Sequence, residues 1–209
     1  MTGTYAYYKQ LFKDVPKPFA FVDLDMLDAN IKAIAKEAGR KKVRVASKSV
    51  RCPEVLRRIL AADDVYQGIM CYTASEAAFL VRQGFDDLLL GYPQWHAEAL
   101  LEVFSLLREG KTITCMVDCM EHLDQIEGLA AEMQVVVPLC IDIDMSTDFP
   151  GLHFGVYRSP LTRWEQVRPL AERIAMAKWL RLAGIMGYEA QIAGVGDQVP
   201  GHAAWFFYR

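Results

Sequence analysis

The sequence predicts an α/β protein: a (β/α)8 barrel of TIM type, incomplete at about seven strands. Three observations lead there. Short apolar runs alternate with segments of helical periodicity along most of the chain. The runs are apolar almost throughout, as strands covered on both faces of a parallel sheet must be. They also end repeatedly in polar residues (Asp25, Lys48, Thr73, Tyr92, Asp118, Asp142, Asp144 and Tyr188), as barrel strands do at the carboxyl face where ligands bind. The competing fold, a doubly wound open sheet, lacks its Gly-x-Gly-x-x-Gly phosphate turn after the first strand.

Taken in order, residues 1–18 form a lead-in that ends in the stiff Val15-Pro-Lys-Pro stretch. Phe19–Asp25 reads as the first strand, and Met26–Ala38 as its helix, stopped at Gly39. Val43–Lys48 and Glu54–Ala61 make the second unit. Gln67–Thr73 and Ala74–Gln83 make the third, with Thr73 or Ser75 as helix cap and Glu76 completing it. Asp87–Pro93 with Trp95–Arg108, and Thr112–Asp118 with Met120–Ala131, are the fourth and fifth. A sixth strand, Val135–Asp144, is followed by a long loop, Met145–Pro160, and a helix, Leu161–Lys178. Leu180–Tyr188 is the seventh strand. The barrel is assigned to residues 19–196, and 197–209 is an atypical tail with no room for a further helix and closing strand.

At 209 residues and 53% hydrophobic, the chain has ample material for one buried core. A net charge of −3 and the absence of a lysine- or arginine-rich block argue against a nucleic-acid partner. No apolar run approaches the roughly 18 residues of a membrane span, and the first residues lack a secretory pattern, so a cytoplasmic protein with no membrane partner is expected. The five cysteines are odd in number and lie mostly in apolar runs, as buried thiols of a reducing compartment do. Cys115 and Cys119, four apart without a second Cys or His pair, argue against zinc, and no metal ligand is assigned.

Lys48 is the residue best placed for chemistry, because it puts an amine at the carboxyl end of a strand. A plain surface lysine at a strand end is the alternative the stretch leaves open.

Several motifs carry a resemblance. Phe21-Val-Asp-Leu-Asp-Met-Leu-Asp-Ala-Asn30, Arg44-x-x-x-Lys48, Thr73-Ala-Ser-Glu76, Asp142-Ile-Asp144 and Gly184-Ile-Met-Gly-Tyr188 follow one another across about residues 18–196. In that order and spacing they resemble the fold-type III pyridoxal-phosphate enzymes, the alanine racemase N-terminal barrel superfamily. Within it the pattern is similar to the D-threonine aldolase and D-serine dehydratase branch, including the amino-acid deaminase/aldolase relatives.

The resemblance implies pyridoxal 5′-phosphate as cofactor, held as a Schiff base on Lys48. It implies Arg44 as a cation that biases Lys48 toward the neutral amine or holds the cofactor's phenolate oxygen. Tyr188 would lie beside the cofactor ring, and His153 would contact cofactor or substrate. The implied substrate is a small D-amino acid bearing a β-hydroxyl. It is either cleaved to glycine and an aldehyde, or dehydrated and deaminated to a keto acid and ammonia. A divalent metal is implied only for full-length relatives, whose metal ligands, phosphate loop and C-terminal domain lie downstream of the point where this sequence stops. A homodimer is expected for the complete protein. Three readings stay open beside this one: a non-catalytic pyridoxal-phosphate-binding barrel with a homeostatic role, an inactive fragment of the enzyme, and a barrel that handles other phosphorylated compounds.

Overall fold

The computed structural model describes residues 3–189, and the tail assigned to 197–209 and the last barrel residues, 190–196, lie outside them. The elements run α1 (Tyr5–Leu11), α2 (Leu24–Ala38), β1 (Val43–Ala46), α3 (Pro53–Leu60), β2 (Tyr66–Cys71), α4 (Ala74–Arg82), β3 (Leu88–Pro93) and α5 (Ala97–Arg108). They continue with β4 (Ile113–Val117), α6 (Met120–Met133), β5 (Val137–Asp144), β6 (Thr147–Phe149), β7 (Leu152–Phe154), α7 (Trp164–Met176) and β8 (Leu180–Tyr188). Six strands form one parallel sheet in the order β1-β2-β3-β4-β5-β8, so each strand–helix unit adds its strand beside the last. This is the strand–helix alternation of an incomplete barrel.

The period of two within each strand divides the residues between two environments. On β5, Val137, Leu139 and Ile141 enter the apolar layer under the helices, and so do Ile113, Cys115 and Val117 on β4 and Leu88 and Leu90 on β3. Leu100, Val103 and Phe104 of α5 and Leu123 and Ile126 of α6 meet them and are fully buried or nearly so. The alternate residues, Arg44, Met70, Met116, Asp142 and Asp144 among them, belong to the opposite, inner face. Thr73 caps α4 by accepting from the Glu76 N–H at 3.2 Å, and the Glu76 carboxylate returns to the Tyr72 N–H at 2.7 Å, as the sequence predicts for this turn.

Two segments differ from the sequence-based expectation. Phe19–Asp25 is not a strand. The rings of Phe19 and Phe21 pack with Phe12, at centroid distances of 5.1 and 4.6 Å. Asp23 caps α2 by accepting from the Met26 N–H at 3.0 Å and also receives the Tyr8 hydroxyl, so the helix starts at Leu24. Two of its rings and its capping acid are therefore engaged by α1, by Phe12 at the C-cap of α1 and by α2, and β1 is left as an edge strand. The second difference is in the stretch Met145–Pro160, which contains an antiparallel hairpin, β6 with β7, turning at Pro150-Gly151 where Gly151 takes a φ of +76°. Among the described residues no helix is long and apolar enough to cross a membrane.

Candidate active site

The chain leaves β1 in a tight turn that holds Lys48 in place. The Ser47 N–H donates to the Met70 carbonyl at 3.0 Å, and those of Ser49 and Val50 return to the Ala46 carbonyl at 3.0 and 3.1 Å. The Lys48 carbonyl accepts from Arg51 Nε at 3.0 Å. The lysine side chain lines a cavity of about 240 Å³ at the carboxyl ends of the strands, together with Met70, Tyr72, Tyr92, Arg158 and Tyr188. Lys48 Nζ stands 6.0 Å from the centre of the Tyr92 ring. It is exposed at the cavity mouth rather than enclosed.

Lys48 follows β1 and Tyr188 ends β8, the two outermost strands of the sheet. In a flat sheet five interstrand spacings of about 4.8 Å would hold them about 24 Å apart. That both line one cavity of this size means that the sheet curls, as a barrel wall does.

Arg158 closes this wall. Its Nε donates to Asp142 Oδ2 at 2.7 Å and its Nη2 to the Gly91 carbonyl, while its backbone N–H donates to Asp144 Oδ2 at 2.8 Å. Its guanidinium carbon lies 4.1 Å from the centre of the Tyr92 ring and 5.4 Å from that of Tyr188, within cation–π range of both. The cation is thus fixed from the strand side by a carboxylate and a carbonyl and flanked by two aromatic faces. Asp142 is completely buried, and its other oxygen, Oδ1, has no hydrogen-bond partner among the described residues. Burial pushes the Asp142 carboxyl up to about 6; the Arg158 charge and hydrogen bond pull it down, and the charges of Asp118 and Asp144 push with burial. Asp144 goes the other way. Burial works to raise it, but hydrogen bonds from Ser146 and from the backbone of Arg158 and Ser159 hold it below its ordinary value.

The other two residues picked from sequence lie elsewhere. Lys48 lies in the turn beyond the end of β1, whereas Arg44 is within the strand, on its inner face. There its Nη2 meets Asp87 Oδ1 at 2.8 Å and its Nη1 the Asp87 carbonyl. His153 is on β7, with Nδ1 2.7 Å from Asp148 Oδ1 and its ring stacked on Tyr157 at 4.0 Å, and it does not line the Lys48 cavity. The structure therefore brings together Lys48 and Tyr188, adds Tyr92 and Arg158, and leaves Arg44 and His153 outside. Sequence reasoning missed Arg158. No local signal marks it, because it lies fourteen residues beyond the Asp142–Asp144 strand end. It also missed a cluster at the next strand end, Asp118, Cys119 and His122, whose ligand atoms all lie within 4.8 Å of one another.

The curled parallel sheet, with its helices on one side and a cavity at the carboxyl ends of its strands, defines the class: the chain is a β/α-barrel protein. The chain belongs to the family of the alanine racemase N-terminal domain, which matches residues 22–203. This bears out the resemblance to the fold-type III pyridoxal-phosphate enzymes. The structure is similar to D-threonine aldolase from Filomicrobium marinum, at 21% identity and a TM-score of 0.71 over 82% of this chain and 44% of that one. It is also similar to D-threo-3-hydroxyaspartate dehydratase from Delftia sp. HT23, at 23% identity and a TM-score of 0.65 over 83% of this chain and 44% of that one. A third likeness is to diaminopimelate decarboxylase from Helicobacter pylori, at 15% identity and a TM-score of 0.68 over 86% of this chain and 46% of that one. At these identities the likeness is one of fold, and the chain spans less than half the length of each of the three. No curated protein matches it by sequence.

Proposed function

We propose that the Lys48 cavity binds pyridoxal 5′-phosphate and serves a lyase reaction on D-amino acids that carry a β-hydroxyl, of the aldolase or dehydratase type. The observation that carries this reading is the convergence of Lys48, Arg158, Tyr92 and Tyr188 on one cavity at the strand ends. The donor set fits the cofactor. Its aldehyde calls for an amine, which Lys48 supplies; its phenolate oxygen calls for a fixed cation, and Arg158 is one; its flat ring calls for aromatic surfaces, which Tyr92 and Tyr188 offer. The group, when bound, supplies an electron sink for charge that develops at the substrate's Cα.

The chain's own residues then have distinct tasks. Lys48 Nζ must shed a proton to act as nucleophile, and it shares the Tyr92 ring with the Arg158 guanidinium. With the cofactor and a substrate bound, the Lys48 amine would be the group that takes or returns the proton at the substrate's Cα. Arg158 is kept in position because Asp142 and the Gly91 carbonyl accept hydrogen bonds from it. The choice of D-amino acids with a β-hydroxyl rests on the sequence motifs and on the fold shared with an aldolase and a dehydratase of such compounds. All five cysteines are free thiols, in keeping with a reducing, cytoplasmic setting.

The test is the visible spectrum after incubation with pyridoxal 5′-phosphate, followed by borohydride reduction and peptide mapping. One label on Lys48, absent from Lys48→Ala, is expected. A label spread over surface lysines, or kept by Lys48→Ala, refutes the reading. Turnover of D-threonine and other D-3-hydroxy amino acids, followed by glycine and aldehyde against ammonia, then separates cleavage from elimination.

A further inference from the structure

The turn between β4 and α6 brings a carboxylate, a thiol and an imidazole to one point. His122 Nδ1 lies 2.9 Å from Asp118 Oδ1 and 3.1 Å from Cys119 Sγ, and the Asp118 N–H also faces it at 3.5 Å. One ring nitrogen has a single hydrogen or a single lone pair, so it satisfies one of these neighbours at a time. His122 is buried, at 5% exposure, against the Trp95 ring with centroids 4.4 Å apart, and its Nε2 has no hydrogen-bond partner among the described residues. With hydrogen bonding alone, the carboxylate, the thiol and the backbone N–H compete for the one ring nitrogen, Nδ1. A cation at the convergence point serves all three groups at once.

We infer that Asp118, Cys119 and His122 form a binding site for a divalent metal of zinc type, separate from the Lys48 cavity. The ligand set decides the class. A thiolate and an imidazole with one carboxylate suit a borderline-soft ion such as Zn²⁺ or Co²⁺ and do not suit Mg²⁺ or Ca²⁺, which take oxygen ligands. The geometry agrees. Ordinary zinc–ligand lengths in a tetrahedron put nitrogen about 3.4 Å from oxygen and about 3.6 Å from sulfur. The two separations from His122 Nδ1 are shorter by about half an ångström, which small side-chain rotations supply, and all three ligand atoms lie within 4.8 Å of one another. Asp118 and Cys119 are only partly buried, which gives the ion a way in and leaves a fourth position for water. Binding releases one proton, from the Cys119 thiol, while a proton on His122 Nδ1 moves to Nε2 so that Nδ1 presents its lone pair.

The site is tested on the whole chain, stripped with chelator and without added cofactor, so the result is independent of the function proposed for Lys48. Co²⁺ is titrated while sulfur-to-metal charge-transfer absorption is followed, and Zn²⁺ is titrated in weak buffer with a pH indicator. One equivalent of each is expected, with one proton released per Zn²⁺ and with Cys119 protected from iodoacetamide while Cys52 still reacts. Cys119→Ser, a change at a partly exposed position, is expected to remove the charge-transfer band. It is also expected to weaken Zn²⁺ by more than the roughly 100-fold that an outer-sphere partner is worth. Cys52→Ser is expected to bind as the parent does. A folded protein without the band, or a band that survives Cys119→Ser, overturns the assignment.

Discussion

Asp142 is a carboxylate whose burial outweighs its ion pair, and that makes a prediction of unusual sign. Its side chain is 1% exposed and its Arg158 partner 9%, so neither charge is served by water. The Asp142 carboxyl rises from an ordinary 3.8 to about 6 in the folded protein, burial being the leading cause. Between those two values the unfolded chain has lost this proton and the folded chain still holds it. Stability contributed by the group is therefore complete below about pH 4 and is lost as the pH rises through about 6. At 1.36 kcal/mol for each pH unit, the loss amounts to about 3 kcal/mol. Asp142→Asn removes the titration and keeps an oxygen for Arg158 Nε. It leaves the buried guanidinium without a counter-charge, a cost that is the same at every pH and below the roughly 3–5 kcal/mol of removing a partner outright. The assay is the urea midpoint of parent and variant at pH 4 and pH 7. The difference between them is expected to shift in favour of the variant by up to about 3 kcal/mol as the pH rises. A difference that is flat, or that moves against the variant, would mean that Arg158 holds Asp142 ionised well below pH 6, and the reasoning would fail.

Two further predictions concern the frame. Gly68 has a φ of +60°, and a Cβ there would run into the Asp87 carbonyl oxygen and sit 2.6 Å from Arg44 Nη1. Gly39 has nearly the same φ, +59°, with nothing within 4 Å of a Cβ. Gly39 pairs that φ with a ψ of −111°, outside the left-handed helical well, so in thermal unfolding Gly39→Ala is expected to lose only the roughly 1–3 kcal/mol of backbone strain. Gly68→Ala is expected to lose clearly more, because it must also displace the Arg44–Asp87 pair; equal losses would refute the close approach. Phe104, fully buried in the layer between α5 and the sheet, is expected to cost about 3–5 kcal/mol as Phe104→Ala in urea unfolding, against less than 0.5 kcal/mol for a surface change.

What was legible in the sequence was what local pattern controls. Leu180–Tyr188 was read as a strand with the bounds the structure gives it, because a near-continuous apolar run after a helix has few other uses. The Thr73–Glu76 cap was readable because its partners are three and four residues apart. Phe19–Asp25 has the same local character as a strand, but pairing is decided by what lies beside it, and here the neighbours are aromatic rings of α1 and the start of α2. Arg158 was missed for the complementary reason. It sits in a stretch without periodicity, and its partner Asp142 is sixteen residues away, brought near by a hairpin of two three-residue strands.

The same alternation that builds the core also explains why the site has the residues it has. On β5, Val137, Leu139 and Ile141 point into the apolar layer, so Asp142 and Asp144 are on the inner face without any further instruction. A slip of one residue would drive both acids into the helix layer at a cost no ion pair would offset, so the register is locked by the core and not by the site. Two carboxylates on an inner face then need a cation, and the hairpin returns the chain so that Arg158 meets one with its side chain and the other with its backbone N–H. That single residue also touches Tyr92 from β3 and Tyr188 from β8, across the curl of the sheet from Lys48. Arg158 is therefore the point at which the curvature of the wall, the charge of its inner face and the surroundings of the lysine are set together. Loss of its guanidinium is expected to disturb all three and to lower the urea midpoint, whereas Lys48→Ala, at an exposed position, is expected to leave stability in urea within about 0.5 kcal/mol of the parent.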